Sequence, residues 1–276
     1  MKHIFFITTL ILSISWQAKA QNHPKESIVL NVIYQVVHIN NLNDRDNPTK
    51  TDMVLSVGKN SSRYVKAEIY NRSLIPIPKA APGMKMMSGT PIVKVNKEGG
   101  IISETYFQWP AENRLDINAS IGNKDYSTNT ALTKINWKIV GETKKIGDFD
   151  CQKAVGDFGG RTYTAWFAAD LPFRNGPFKL WGLPGLILEA EDSKKEVRFL
   201  FKDINKETDS AKKVEPLGSK PIKISTEDYI KAKKAYQENP DAYMQSQLPV
   251  GSSKVRKYKE DSGDDSKKFL PNPIEL

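Results

Sequence analysis

Along residues 27–40, "SIVLNVIYQVVHIN", β-branched and aromatic positions run on with neither glycine nor proline to interrupt them. A run of that composition predicts a strand, and one apolar on both faces predicts a central place in a sheet. Residues 53–70 read as two further strands around a turn at Gly58, Lys59, Asn60 and Ser61. Four prolines between 74 and 91 preclude a central strand there and predict a long loop or flap. Strand patterning resumes at 91–109, with a turn at Gly99 and Gly100, and continues through 132–172 with turns at Gly147 and at Gly159 and Gly160. Short extended runs joined by glycine turns predict antiparallel pairing, since parallel strands need helical crossovers between them.

The most hydrophobic run, "WGLPGLILEAED" at 181–192, holds three structure breakers. In Leu183-Pro184-Gly185-Leu186 the proline suits the second position of a type II turn and the glycine the third, where φ is positive. Beyond that corner Leu186, Leu188 and Ala190 alternate with Ile187, Glu189 and Glu191, the pattern of a half-buried strand reaching water at its far end. Residues 195–204 then predict a strand returning beside it. One helix is expected in "STEDYIKAKKAYQENP": Ser225 or Thr226 caps it, Glu227 and Asp228 fill the first turn, and Asn239-Pro240 stops it. Tyr229, Ala232 and Tyr236 form the stripe that docks it on the sheet. The expected class is therefore mainly β (α+β): an antiparallel meander sheet or open half-barrel, with one packed C-terminal helix and a mobile tail.

The first twenty residues change the setting. Lys2 and His3 precede an apolar run from Ile4 to Ile14, with Ala18 and Ala20 following, the form of a secretory signal peptide cut before Gln21. A run of eleven positions is short of the roughly 20 that span a bilayer. The expected organisation is a signal peptide at 1–20, a single β-rich domain at 21–250 and a charged tail at 251–276. An exported protein follows, at the periplasm or outer-membrane periphery or secreted, with no transmembrane segment after cleavage. Its single cysteine rules out a disulfide-stapled fold. Loss of Lys2 and Lys19 lowers the formal charge from +9 to +7, and the basic residues are dispersed without a base-reading motif, which argues against nucleic acid.

"CQKA" at 151–154, "FGGRTYTAW" at 158–166, "NGPFK" at 175–179, "GLPGLI" at 182–187 and "NPIEL" at 272–276 together resemble the GLPGLI family of exported proteins from Bacteroidetes-type bacteria. The resemblance is densest from about 137 to 192. It implies an exported, β-rich envelope protein and supplies no reaction, so no catalytic residue is carried over. Gly182, Leu183, Pro184, Gly185, Leu186 and Ile187 enter as its structural motif.

Chemistry in the sequence is sparse. Tyr163, Trp166, Phe178 and Trp181, with Phe167 and Phe173, crowd beside the motif and could line an apolar cleft, with Arg161 and Lys179 at its rim to hold an anionic headgroup. Ordinary core packing is the competing reading. Cys151 stands beside Asp148 and Asp150, which would raise its pKa and oppose nucleophile duty. Glu189 and Glu191 lie about 6.6 Å apart along one strand, within the spacing of an inverting glycosidase pair, but they point the same way and cannot easily flank a scissile bond. Three methionines at 84, 86 and 87 could serve Cu(I) as soft ligands. With no Walker loop, zinc signature or nucleophile elbow, the sequence favours a non-catalytic protein without cofactor or metal, binding an apolar ligand such as a lipid or peptide, or an outer-membrane protein partner. The alternative is an envelope hydrolase or other enzyme with an unrecognised site.

Overall fold

The structure, a computed structural model, describes residues 25–74, 104–217, 220–248 and 270–275. The signal-like segment, the methionines at 84–87, the turn at Gly99 and Gly100, and most of the expected tail lie outside the described residues.

One open sheet of twelve strands carries the fold. Its first half is a meander of β1 (Leu30–His38), β2 (Thr49–Val57), β3 (Ser62–Lys66), β4 (Thr105–Trp109), β5 (Arg114–Ile121) and β6 (Lys124–Ala131). The second half is another: β7 (Lys138–Ile146), β8 (Phe149–Phe158), β9 (Arg161–Ala168), β10 (Leu186–Asp192) and β11 (Val197–Lys206). The halves join where β1 pairs with β11, which makes the uninterrupted first strand central and leaves β6 and β7 toward opposite edges. A two-residue strand, β12 (Ile222–Lys223), adds to β6 and is the one parallel partner in an otherwise antiparallel sheet. Gly147, Gly159 and Gly160 take positive φ at the hairpin tips, as two-residue turns between twisted strands require.

The period-2 pattern puts one face of each strand inside. Val32, Tyr34 and Val36 of β1 lie beside Met53 and Leu55 of β2, Tyr64 of β3 and Phe199 of β11 in one buried cluster. The 17-residue connection from Ala169 to Gly185 enters that cluster. Phe178 meets Tyr106 of β4 at 5.1 Å, Phe199 of β11 at 6.3 Å and Phe158 of β8 at 6.4 Å between ring centroids. Strands so far apart in the sheet reach one ring because the sheet curls around it.

Three helices are described where the sequence predicts one: α1 (Ala67–Ser73), α2 (Thr226–Glu238) and α3 (Pro240–Ser246). In α2, Ser225 accepts from the amide of Asp228 as a cap should, and Tyr229 is buried with Ala232 and Tyr236 packed beside it. Asn239-Pro240 ends α2 and immediately starts α3, because Asn239 accepts from the amide of Ala242 and proline suits a first helical turn. A buried carboxylate ties α2 to the sheet: Glu104 accepts from Tyr229 at 2.9 Å and from Lys233. Burial alone would raise its pKa, but the Lys233 ammonium and these bonds hold it down at about 2.

The expected tail needs one revision. Residues 270–275 dock on the body, with Asn272 only 4% exposed. Among the described residues, no helix is long and apolar enough to cross a membrane.

Candidate functional site

The family motif folds differently from the type II corner predicted for it. Gly185 does not take positive φ; Gly182 does, at +102°. Gly185 is glycine for another reason: a Cβ there would overlap the carbonyl oxygen of Ala168 and sit 2.7 Å from its carbon and 2.9 Å from Ala169 Cα. The start of β10 therefore lies flush on the end of β9, and only a residue without a side chain fits. Backbone bonds lock the approach: Leu186 N–H donates to Leu171 O and Ile187 N–H to Asn175 O, both at 3.0 Å. Past the corner the pairing with β9 shifts register between Ile187 and Glu189, so Ile187 and Leu188 are both buried rather than alternating. The strand's far end does not reach water either, because Asp192 is 2% exposed, held by Arg161.

The six residues expected to line one cleft are dispersed. Tyr163 and Phe178 are buried in the core. Trp166 is half-buried, directly opposite Lys153 on β8, with Lys144 Nζ 4.6 Å over its ring. Arg161 is 5% exposed and fully engaged, so it is no rim cation. Lys179 lies over the rings of Tyr106 and Phe178 and pairs with Glu275 at 2.6 Å. Trp181 alone lines an open groove.

That groove, about 490 Å³, lies where the β6 to β7 crossing meets the motif. Trp137 Nε1 donates to Trp181 O at 2.8 Å, and Trp181 Nε1 donates to Thr133 O at 2.9 Å. With both indole N–H groups spent on backbone carbonyls, each ring is fixed in place and offers apolar surface. Pro184 is exposed and Ile139 is 48% exposed beside them. Arg174 and Lys134 add two cations, the guanidinium bonding Gly182 O at 2.9 Å, and no carboxylate is among the described lining residues. The sequence did single out Trp181 and Pro184. It did not single out Trp137, Arg174 or Lys134: 132–137 reads as part of a strand run, whereas the structure makes it an irregular crossing before β7, and nothing local places Arg174 against it.

Other candidates settle into structural positions. Cys151 is completely buried on β8, and burial first, helped by Glu189 and Asp150 against the opposing Lys144 ammonium, pushes its thiol up to about 11. Thiol reagents at pH 8 should accordingly label Cys151 only in unfolded protein, and fast labelling of the native chain would contradict this placement. Glu189 pairs with Lys144 at 2.6 Å, a surface contact. Among the described residues no group of three or more His, Cys, Asp or Glu is placed to hold a metal ion.

Comparison with known proteins matches residues 159–189 to a family described as a protein of unknown function, Porph_ging. No curated protein matches the chain. Among solved structures, one titled PNGF-II in its P21 crystal form is similar with a TM-score of 0.51 at 16% identity, over 75% of this chain and 33% of that one. The C2 form of PNGF-II gives 0.50 at 16% identity, over 75% of this chain and 32% of the other. The chain thus spans about a third of those proteins' length, and at such identity the likeness is one of fold. The matched residues run from the β8–β9 turn through the buried connection into β10.

Proposed function

We propose that the protein is an exported, non-catalytic envelope protein that binds an apolar ligand bearing an acidic group, or an apolar segment of an outer-membrane partner, in the groove between Trp137 and Trp181. The carrying observation is the groove's composition: two immobilised indole faces, Pro184 and Ile139 supply apolar surface, and Arg174 with Lys134 supply positive charge with no carboxylate among the described lining residues. Concave, aromatic-lined sites with few polar groups suit ligand capture, and a cation in a site that excludes acids favours an anionic group. Export rests on the leader-like residues 1–20.

One preparation tests both parts. Protein drawn from its native envelope should begin at Gln21 and carry a lipid or peptide that mass spectrometry identifies. Trp137→Ala with Trp181→Ala should lower the bound amount by about tenfold or more, the scale of losing two aromatic anchors at 1–2 kcal/mol each or above. A preparation that begins at Met1 removes the export proposal. A double variant that stays folded and keeps its cargo removes the groove.

A further inference from the structure

At one end of the sheet three segments converge. The antiparallel registers His38 to Val197, Asp192 to Tyr163 and Phe158 to Arg161 bring together the end of β1, the turn between β8 and β9, and the turn between β10 and β11. Residues 270–275 lie across them. Leu42 N–H donates to Leu270 O and Asn272 N–H to Asn40 O, both at 3.0 Å, an antiparallel bridge centred on Asn41 and Pro271.

Side chains of the body then read the segment almost residue by residue. His38 Nε2 donates to Asn272 O at 2.7 Å, a carbonyl that can only accept. Asn272 Nδ2 donates to Ile39 O at 2.7 Å and to Glu196 at 3.2 Å, while its Oδ1 accepts from Arg161 at 2.5 Å. Arg161 also donates to Pro273 O at 2.8 Å and Ile274 O at 3.0 Å. Glu275 meets Lys179, and its side chain crosses Gly159 so closely that a Cβ there would sit 2.9 Å from Glu275 Cγ. This is the grammar of strand addition in peptide recognition: main-chain bonds fix the backbone while one buried amide and the Glu275 carboxylate set the sequence.

We propose that this groove is a peptide-recognition site, that residues 270–275 are its resident ligand, and that this ligand can leave and be replaced by the same sequence from outside the chain. The requirement it imposes is an asparagine with an apolar residue two positions and an acid three positions after it. In sequence, 23 residues, 247–269, lie between the end of α3 and the segment, a length that spans at most about 80 Å.

The test uses the full chain with a protease site inserted after Gly251, cut once the protein has folded. A fluorescent peptide of residues 269–276 should then exchange into the cut protein within minutes, seen as a rise in anisotropy. The uncut chain should take up the peptide at least tenfold less at equal concentrations. Unlabelled peptide should compete, and the same peptide carrying Asn272→Ala should compete at least tenfold less well. The cut body should keep its β-sheet circular dichroism after exchange. No exchange after cutting, equal competition by the alanine peptide, or loss of the fold when the segment departs would each overturn the proposal, making 270–275 a fixed part of the core instead.

Discussion

Gly185→Ala should destabilise the protein by about 3 kcal/mol or more, although it adds a single methyl group. The added Cβ has nowhere to go, since the atoms it meets are the backbone of Ala168 and Ala169 rather than the end of a movable side chain. Relief demands that β10 pull away from β9, which would loosen the amide bonds of Leu186 and Ile187 and the buried side chains behind them. Gly182→Ala provides the contrast. Its φ of +102° is costly for a residue with a side chain, yet a Cβ there comes no nearer than 3.9 Å to Trp137. Conformational strain alone should cost about 1–2 kcal/mol. Urea unfolding of the two variants compares the causes, and Gly182→Ala proving the more damaging would show that dihedral strain governs the motif.

That contrast shows where the sequence was legible. The Pro184-Gly185 pair suggested positive φ at Gly185 because turn chemistry is local and can be read from four residues. The real constraint is a contact with Ala168, set by how β10 returns to β9, and a close approach between backbones leaves no mark in a local pattern. Most of the central strands were readable, since β-branched runs and glycine turns specify a meander by their own periodicity, but β5 and β6 at 114–131 were not predicted, and residues 67–70, expected as strand, open α1. So was α2, whose Ser225 cap, acidic first turn and Asn239-Pro240 stop are all local signals. The connection from 169 to 185 was not, because its role depends on Phe178 reaching Tyr106, 72 positions earlier, across a curled sheet. Arg161 was misplaced for the same reason: charge predicts solvent, and only tertiary structure supplies the buried carboxylates that let it stay inside.

Arg161→Met should cost about 3–5 kcal/mol, because it strips the cation from a buried network and leaves its acids. Arg161 Nη1 lies 2.7 Å from Asp192 and 3.1 Å from Glu196, with side-chain exposures of 2%, 1% and 7% for the three. Asp192 would keep the amides of Glu196 and Val197, at 2.7 and 2.9 Å, and Glu196 would keep Arg45 at 2.9 Å. Those residual partners should hold the cost to that range rather than abolish folding. Asn272→Ala removes docking contacts of 270–275 but leaves the ion pairs intact, so about 1–3 kcal/mol is expected of it. Acid adds a signature. Burial works against ionised Glu196, but bonds from Arg161, Arg45 and Asn272 outweigh it and lower its pKa below the ordinary 4.5. A carboxyl with a depressed folded pKa contributes stability that is present above its unfolded value and lost as pH falls through the folded one. The wild-type chain should therefore lose this contribution below about pH 4.5, while Arg161→Met, with the main source of that depression gone, should show a shallower acid slope. If Arg161→Met unfolds at the wild-type urea midpoint and follows the wild-type acid profile, the buried cluster contributes nothing to the fold.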